Sequence, residues 1–161
     1  MTTQLTTSLN QKIMKGWKMH HNSLIELVAQ LPDTSGNWRP WDGGWTTLEL
    51  IHHLAWTPEF FFAQIEKRDM NIPPVPSTLA EARELIKKLT EVTEQKLASY
   101  NDTELQKVAT ININGVNVTE PVEEMFHRLV AHEAHHKGQL FIYARQLGVT
   151  NPPFYVDLSV K

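Results

Sequence analysis

Eight histidines and no cysteine define the chemistry open to this chain. The histidines fall as His20/His21, His52/His53, and then His127, His132, His135 and His136. Within HRLVAHEAHHKGQLFIYARQLG, His132 and His136 have the spacing of one helical turn. At about 100° per residue they lie about 40° apart on one helix face, with Cβ atoms roughly 5–6 Å apart. Two imidazoles so placed can point at one metal ion at bond lengths of ~2.0–2.1 Å. Met125, Leu129, Gln139 and Tyr143 share this stripe, a mostly apolar set that should face a core. His135 falls about 60° to one side of His132 and His127 about 140° away, which makes both poorer ligands. The lack of Cys excludes a thiolate zinc knuckle, an iron–sulfur cluster, a cysteine nucleophile and a disulfide scaffold.

Two histidines do not complete a catalytic metal site, so a third ligand is needed. His52 and His53 differ by about 100° on a helix, and only one of them can face the centre of a bundle. His53 shares its face with Leu50, Thr57, Phe60 and Phe61; His52 shares its own with Leu48, Ile51, Ala55 and Glu59. The more aromatic face tilts the choice toward His53 without settling it. Glu49 reads as a helix cap rather than a base, Glu133 as a solvated side chain, and the Trp-rich loop NWRPWDGGW as packing, although loop aromatics near a helix start can line a pocket mouth. Arg128, Gln139 and Tyr143 lie near the His stripe, where they can orient a ligand or simply pack.

Four helical segments must position these groups. The first spans about Thr6 to Gln30, with Ile13, Trp17, Leu24, Leu27 and Val28 at threes and fours. The second opens at Thr46, three residues before Glu49, the spacing of a capping box, and runs to about Arg68 with a kink expected at Pro58. NIPPVPS then forbids helix. A third helix runs from Thr78, with Glu81 as capping-box partner, to about Tyr100. Asn114-Gly115, between alternating Ile111/Ile113 and Val116/Val118, predicts a β-hairpin. The last helix is expected from Glu120, capped by Thr119, to a stop at Gly148. The tail TNPPFYVDLSVK holds too many breakers for another long helix and should pack over the bundle or a neighbouring subunit. The fold class expected is all-α, a four-helix bundle with a small hairpin before the last helix, in one domain over residues 1–161.

A length of 161 residues suffices to bury a core without staples, and 41% hydrophobic with 20% charged residues argues against disorder. A net charge of −3 argues against a nucleic-acid partner. No stretch approaches the ~18 apolar residues of a membrane span, and the first residues lack the apolar core of a secretory signal. A cytoplasmic protein is expected, without a membrane partner.

WTTLELIHHLAW and AHEAHHKGQLFIYARQLG together resemble the DinB/YfiT-like family of bacterial four-helix-bundle metalloenzymes. The first is similar to the family's helix-two segment ending in a His-Leu-Ala-like motif. The second is similar to its His-x-x-x-His-[Lys/Arg]-Gly-Gln segment followed by a Leu-Gly helix end. The resemblance implies His53, before Leu54-Ala55, as the helix-two ligand, joined by His132 and His136. It also implies an up-down-down-up path with the linker around Pro73–Pro76 as crossover, and a homodimer.

Three imidazoles without a thiolate suit Zn²⁺, Ni²⁺, Fe²⁺ or Mn²⁺. Three protein ligands leave a position open, the arrangement of catalytic sites. The function expected is a metal-dependent hydrolase or a thiol-dependent S-transferase acting on a small molecule, with a low-molecular-weight thiol as candidate partner. The alternatives are a non-catalytic metal-binding stress-response bundle and an interaction module whose histidines are merely buried.

Overall fold

A computed structural model describes residues 7–161. Its elements are α1 (Leu9–Gln30), a 3₁₀ turn (Asp33–Ser35), α2 (Thr47–Glu66), α3 (Leu79–Ser99), α4 (Asp102–Leu105), β1 (Val108–Ile113), β2 (Val116–Pro121) and α5 (Val122–Gln146). The structure is mostly helical, with a two-stranded hairpin before the last helix. No helix among the described residues is long and apolar enough to cross a membrane.

Caps set the helix starts. The Ser8 hydroxyl accepts from the Gln11 N–H while the Gln11 side chain accepts from the Ser8 N–H, so α1 opens at Leu9. The start expected at Thr6 lies outside the described residues. Thr46 and Glu49 close the expected box on α2, at 3.1 Å and 2.7 Å. Thr78 caps α3, but the Glu81 carboxylate accepts from Ser77 N–H rather than from the cap residue. The second helix runs on through Pro58 and stops at Glu66, where Lys67 turns left-handed with φ 54°.

The start of α5 departs from the expectation. Thr119 does not cap it; its hydroxyl meets Thr110 across the hairpin at 2.8 Å. Strand pairing continues to Pro121, opposite Val108, and Val122 N–H donates to Lys107 O. Each residue kept in the ladder satisfies backbone groups that an earlier helix start would leave open, so the helix begins at Val122. The Asn114–Gly115 turn takes φ values of 50° and 83°, as a two-residue hairpin loop requires. Gly148, at φ 92°, ends α5, with Val149 N–H reaching back to Ala144 O.

Each long helix touches two others: α2 packs on α3 and α5, and α1 on α5 and α3. The core forms two apolar clusters. One gathers Leu24, Leu27, Leu50, Ile51, Leu54, Ile86 and Leu140; the other gathers Trp17, Phe61, Phe62, Leu97, Met125, Phe126 and Leu129, with Ile111 from the hairpin. Between them on α5 fall His132, Glu133, His136 and Lys137, and the same gap on α1 holds His21. A polar belt therefore crosses the core between two apolar layers. The tail folds back on α1, where Asp157 N–H donates to Met19 O and the Ser23 hydroxyl donates to Phe154 O.

Candidate metal centre

The belt brings His53 of α2 against His132 and His136 of α5, and one nitrogen from each lies within 4.8 Å of the others. The Nε2 atoms of His53 and His132 face each other at 3.0 Å. The ring centroids are 4.8 Å apart for His53–His132, 4.6 Å for His53–His136 and 4.4 Å for His132–His136. Burial, reinforced by the neighbouring imidazoles, pushes His53 and His132 down to about 4. Burial also lowers His136, against the opposing effect of its Gln139 hydrogen bond. The three rings are therefore neutral near pH 7, with lone pairs available.

A second partner orients one of them. His136 Nδ1–H donates to the Gln139 side-chain oxygen at 2.7 Å, which leaves the Nε2 lone pair for a cation. The Gln139 amide nitrogen lies 3.5 Å from His135, so the side chain is held from both sides. His132 Nδ1 is buried and has no hydrogen-bond partner among the described residues. Three neutral nitrogen donors converging on one point, with no acid among them, fit a borderline divalent ion. Three histidines so placed can hold a metal ion.

His52 goes elsewhere. Its Nε2–H donates to Pro73 O at 2.7 Å, tying α2 to the Pro-rich linker. His127 and His135 are exposed, and His135, though its ring meets that of His136 edge-on at 4.8 Å, is not one of the three converging histidines. Glu49 is the cap, and its backbone hydrogen bond with Thr46 holds the carboxyl below the usual range.

Tryptophan rings flank two of the three histidines. Trp45 stacks 5.6 Å from His136 and lies tilted 4.7 Å from His53, while Trp56 meets His53 edge-on at 5.5 Å. Tyr143 fixes the Trp45 backbone, donating its hydroxyl to Trp45 O at 3.0 Å. The Trp-rich loop is thus more than packing: its last residue roofs the centre. A cavity of about 700 Å³ opens here, reached also by Phe60, Phe61, Ile113, Asn114 and Arg128.

Two residues escaped the sequence reading. Glu133 is buried, not solvated: His21 Nδ1–H donates to its carboxylate at 2.9 Å, and His21 Nε2 lies 2.7 Å from the Thr90 hydroxyl. Lys137 is 2% exposed and donates to His20 Nδ1, His20 O and Tyr155 O. Burial pushes its ammonium down to about 8. His21 was the available signal, since it falls on the Trp17/Leu24 face of α1, where a polar side chain needs a buried partner.

A helical fold whose polar belt gathers one histidine from the second long helix and two from the last defines the class. The chain matches the DinB superfamily over residues 17–140 and belongs to it. It is 27% identical to the uncharacterized protein YjoA of Bacillus subtilis, covering 91% of this chain and 96% of that one. The crystal structure of that DinB-like protein aligns with a TM-score of 0.73 at 24% identity, over 91% of this chain and 99% of the other. A DinB-like protein from Bacillus cereus aligns with a TM-score of 0.76 at 20% identity, over 89% and 95%.

Proposed function

We propose that the protein is a divalent-metal-dependent enzyme, a hydrolase or a thiol-dependent S-transferase, with His53, His132 and His136 as the metal ligands. The observation that carries this is the convergence of three neutral imidazole nitrogens beneath an aromatic cavity. Zn²⁺, Ni²⁺, Fe²⁺ and Mn²⁺ all suit the donor set. Such an ion supplies Lewis-acid activation of a water or thiol nucleophile. Gln139 holds the His136 ring in its donor tautomer, and the Trp45 and Trp56 rings shield the histidines from bulk water.

The reading also places the fold in one domain over residues 1–161, as a four-helix bundle running up-down-down-up. In support, α1 and α5 pass from the Trp17/Met125 cluster to the Leu24/Leu140 cluster, whereas α2 and α3 pass the other way. It includes a cytoplasmic homodimer, for which exposed Ile142, Phe154, Tyr155 and Leu158 offer apolar surface. Sedimentation giving only an 18.5 kDa species at micromolar concentration would refute the dimer.

Elemental analysis of tag-free wild type beside His53→Ala and His136→Ala tests the core of the proposal. About one divalent ion per chain is expected in the wild type, with loss in both variants. Wild type that takes up no Zn²⁺, Ni²⁺, Mn²⁺ or anaerobic Fe²⁺ overturns it. Ester hydrolysis and thiol-conjugation screens of the loaded protein then separate the two reactions.

A further inference from the structure

We propose that the cavity over the three histidines takes a monoanion with a flat apolar body, its charged head at the histidine end and its body against Trp56, Phe60 and Phe61. The inference rests on the metal reading above. Three neutral imidazoles bring no negative charge to a divalent ion, and no Asp or Glu is among the described residues lining the cavity. The floor of the cavity therefore carries two uncompensated positive charges once loaded. In a partly desolvated site that imbalance is best met by a ligand bearing the missing anion.

The rest of the wall restricts the ligand further. Arg128 is the one cationic side chain among those lining residues other than the histidines, and its guanidinium is already engaged in a two-pronged ion pair with Glu120. A second anionic group on the ligand would find no unmatched cation there. The Thr57 hydroxyl donates to His53 O at 2.6 Å, so its hydrogen is also committed. Asn114 at the hairpin turn adds an uncharged amide; the rest is apolar and aromatic, with Ile113 of the hairpin closing one side. A volume of about 700 Å³ lies within the range of roughly 300–1,000 Å³ typical of small-molecule sites. One charge, one flat apolar body and no second charge describe an arylalkyl carboxylate or thiolate.

The test uses the zinc-loaded full chain, titrated calorimetrically with 3-phenylpropanoate, its neutral amide, acetate and phenylsuccinate, with zinc content measured in the same samples. Quenching of Trp45 and Trp56 fluorescence gives a second readout of occupancy. The propanoate should bind at least tenfold more tightly than both the amide and acetate, and phenylsuccinate should gain nothing over it. Phe60→Ala and Trp56→Ala, folded by circular dichroism and fully loaded with zinc, should lose propanoate affinity about tenfold while acetate is unchanged. Fully loaded wild type that binds the amide or acetate as tightly as the propanoate overturns this inference and leaves the metal reading standing. Wild type that holds no zinc overturns both.

Discussion

Gln139→Leu isolates what one side chain does for the metal centre. Gln139 is exposed, yet its oxygen receives the His136 Nδ1–H at 2.7 Å. Without that acceptor the imidazole is free to carry its proton on Nε2, the nitrogen the centre needs. A neutral hydrogen bond contributes a net ~0.5–1.5 kcal/mol, and loss of a group that orients a metal-bound His costs roughly 10–100-fold in affinity. Exposure of Gln139 places the loss at the lower end, about tenfold or ~1.4 kcal/mol. Competition against a chromophoric zinc chelator at pH 7.5 reads this directly. The metal-free variant should keep the wild-type urea midpoint within about 0.5 kcal/mol, since a surface contact is removed. Gln139→Glu restores an acceptor at the same position and should recover wild-type affinity or exceed it. Zinc affinity within twofold of wild type in Gln139→Leu, or equal weakening by Leu and Glu, would refute the tautomer argument.

Other outcomes follow from the same geometry. His53 and His132 titrate near 4 when folded, against about 6.5 in an unfolded chain, so between those values the unfolded state binds more protons. Stability of the metal-free protein should therefore fall as pH drops from 6.5 toward 4, checked by urea midpoints at pH 7.5 and 4.5. Protons should compete with zinc for His53 and His132 only near pH 4, below the ordinary imidazole range, measured by the same chelator competition. Glu133→Leu leaves buried His21 without its acceptor and should destabilise by about 3 kcal/mol in urea unfolding. Lys137→Met strips the donor from His20 O and Tyr155 O, at about 1–3 kcal/mol. Hydrogen exchange at the Asp157 amide, which donates to Met19 O, should then accelerate.

The periodic stripes on the four long helices, the Thr46–Glu49 box and the Asn-Gly turn were all legible because each is a local signal. So was the His132/His136 pair, whose spacing fixes its geometry before anything else folds. The choice between His52 and His53 was not, because both faces of α2 are buried. One meets α5, and the other meets the linker through Pro73. The resemblance resolved it; hydrophobicity had no means to. Glu133 looked like an ordinary solvated position and Lys137 drew no structural reading, because their partners, His21 and Tyr155 among them, come from α1 and the tail. A buried polar residue announces itself only through partners distant in sequence. The start of α5 was misplaced for a related reason: strand pairing with Val108 outweighed a local capping preference.

The separation of His53 from His132 and His136 has a consequence for biosynthesis. The first histidine leaves the ribosome 79 residues ahead of the second, with the linker, α3 and the hairpin still to be made. A nascent chain that has completed α2 and α3 carries one imidazole of the three, too few to hold an ion against cellular competitors. The centre comes into being only when α5 docks between α1 and α2, the contacts that span most of the chain. On the proposed metal reading, capture of an ion is thereby tied to completed assembly of the fold.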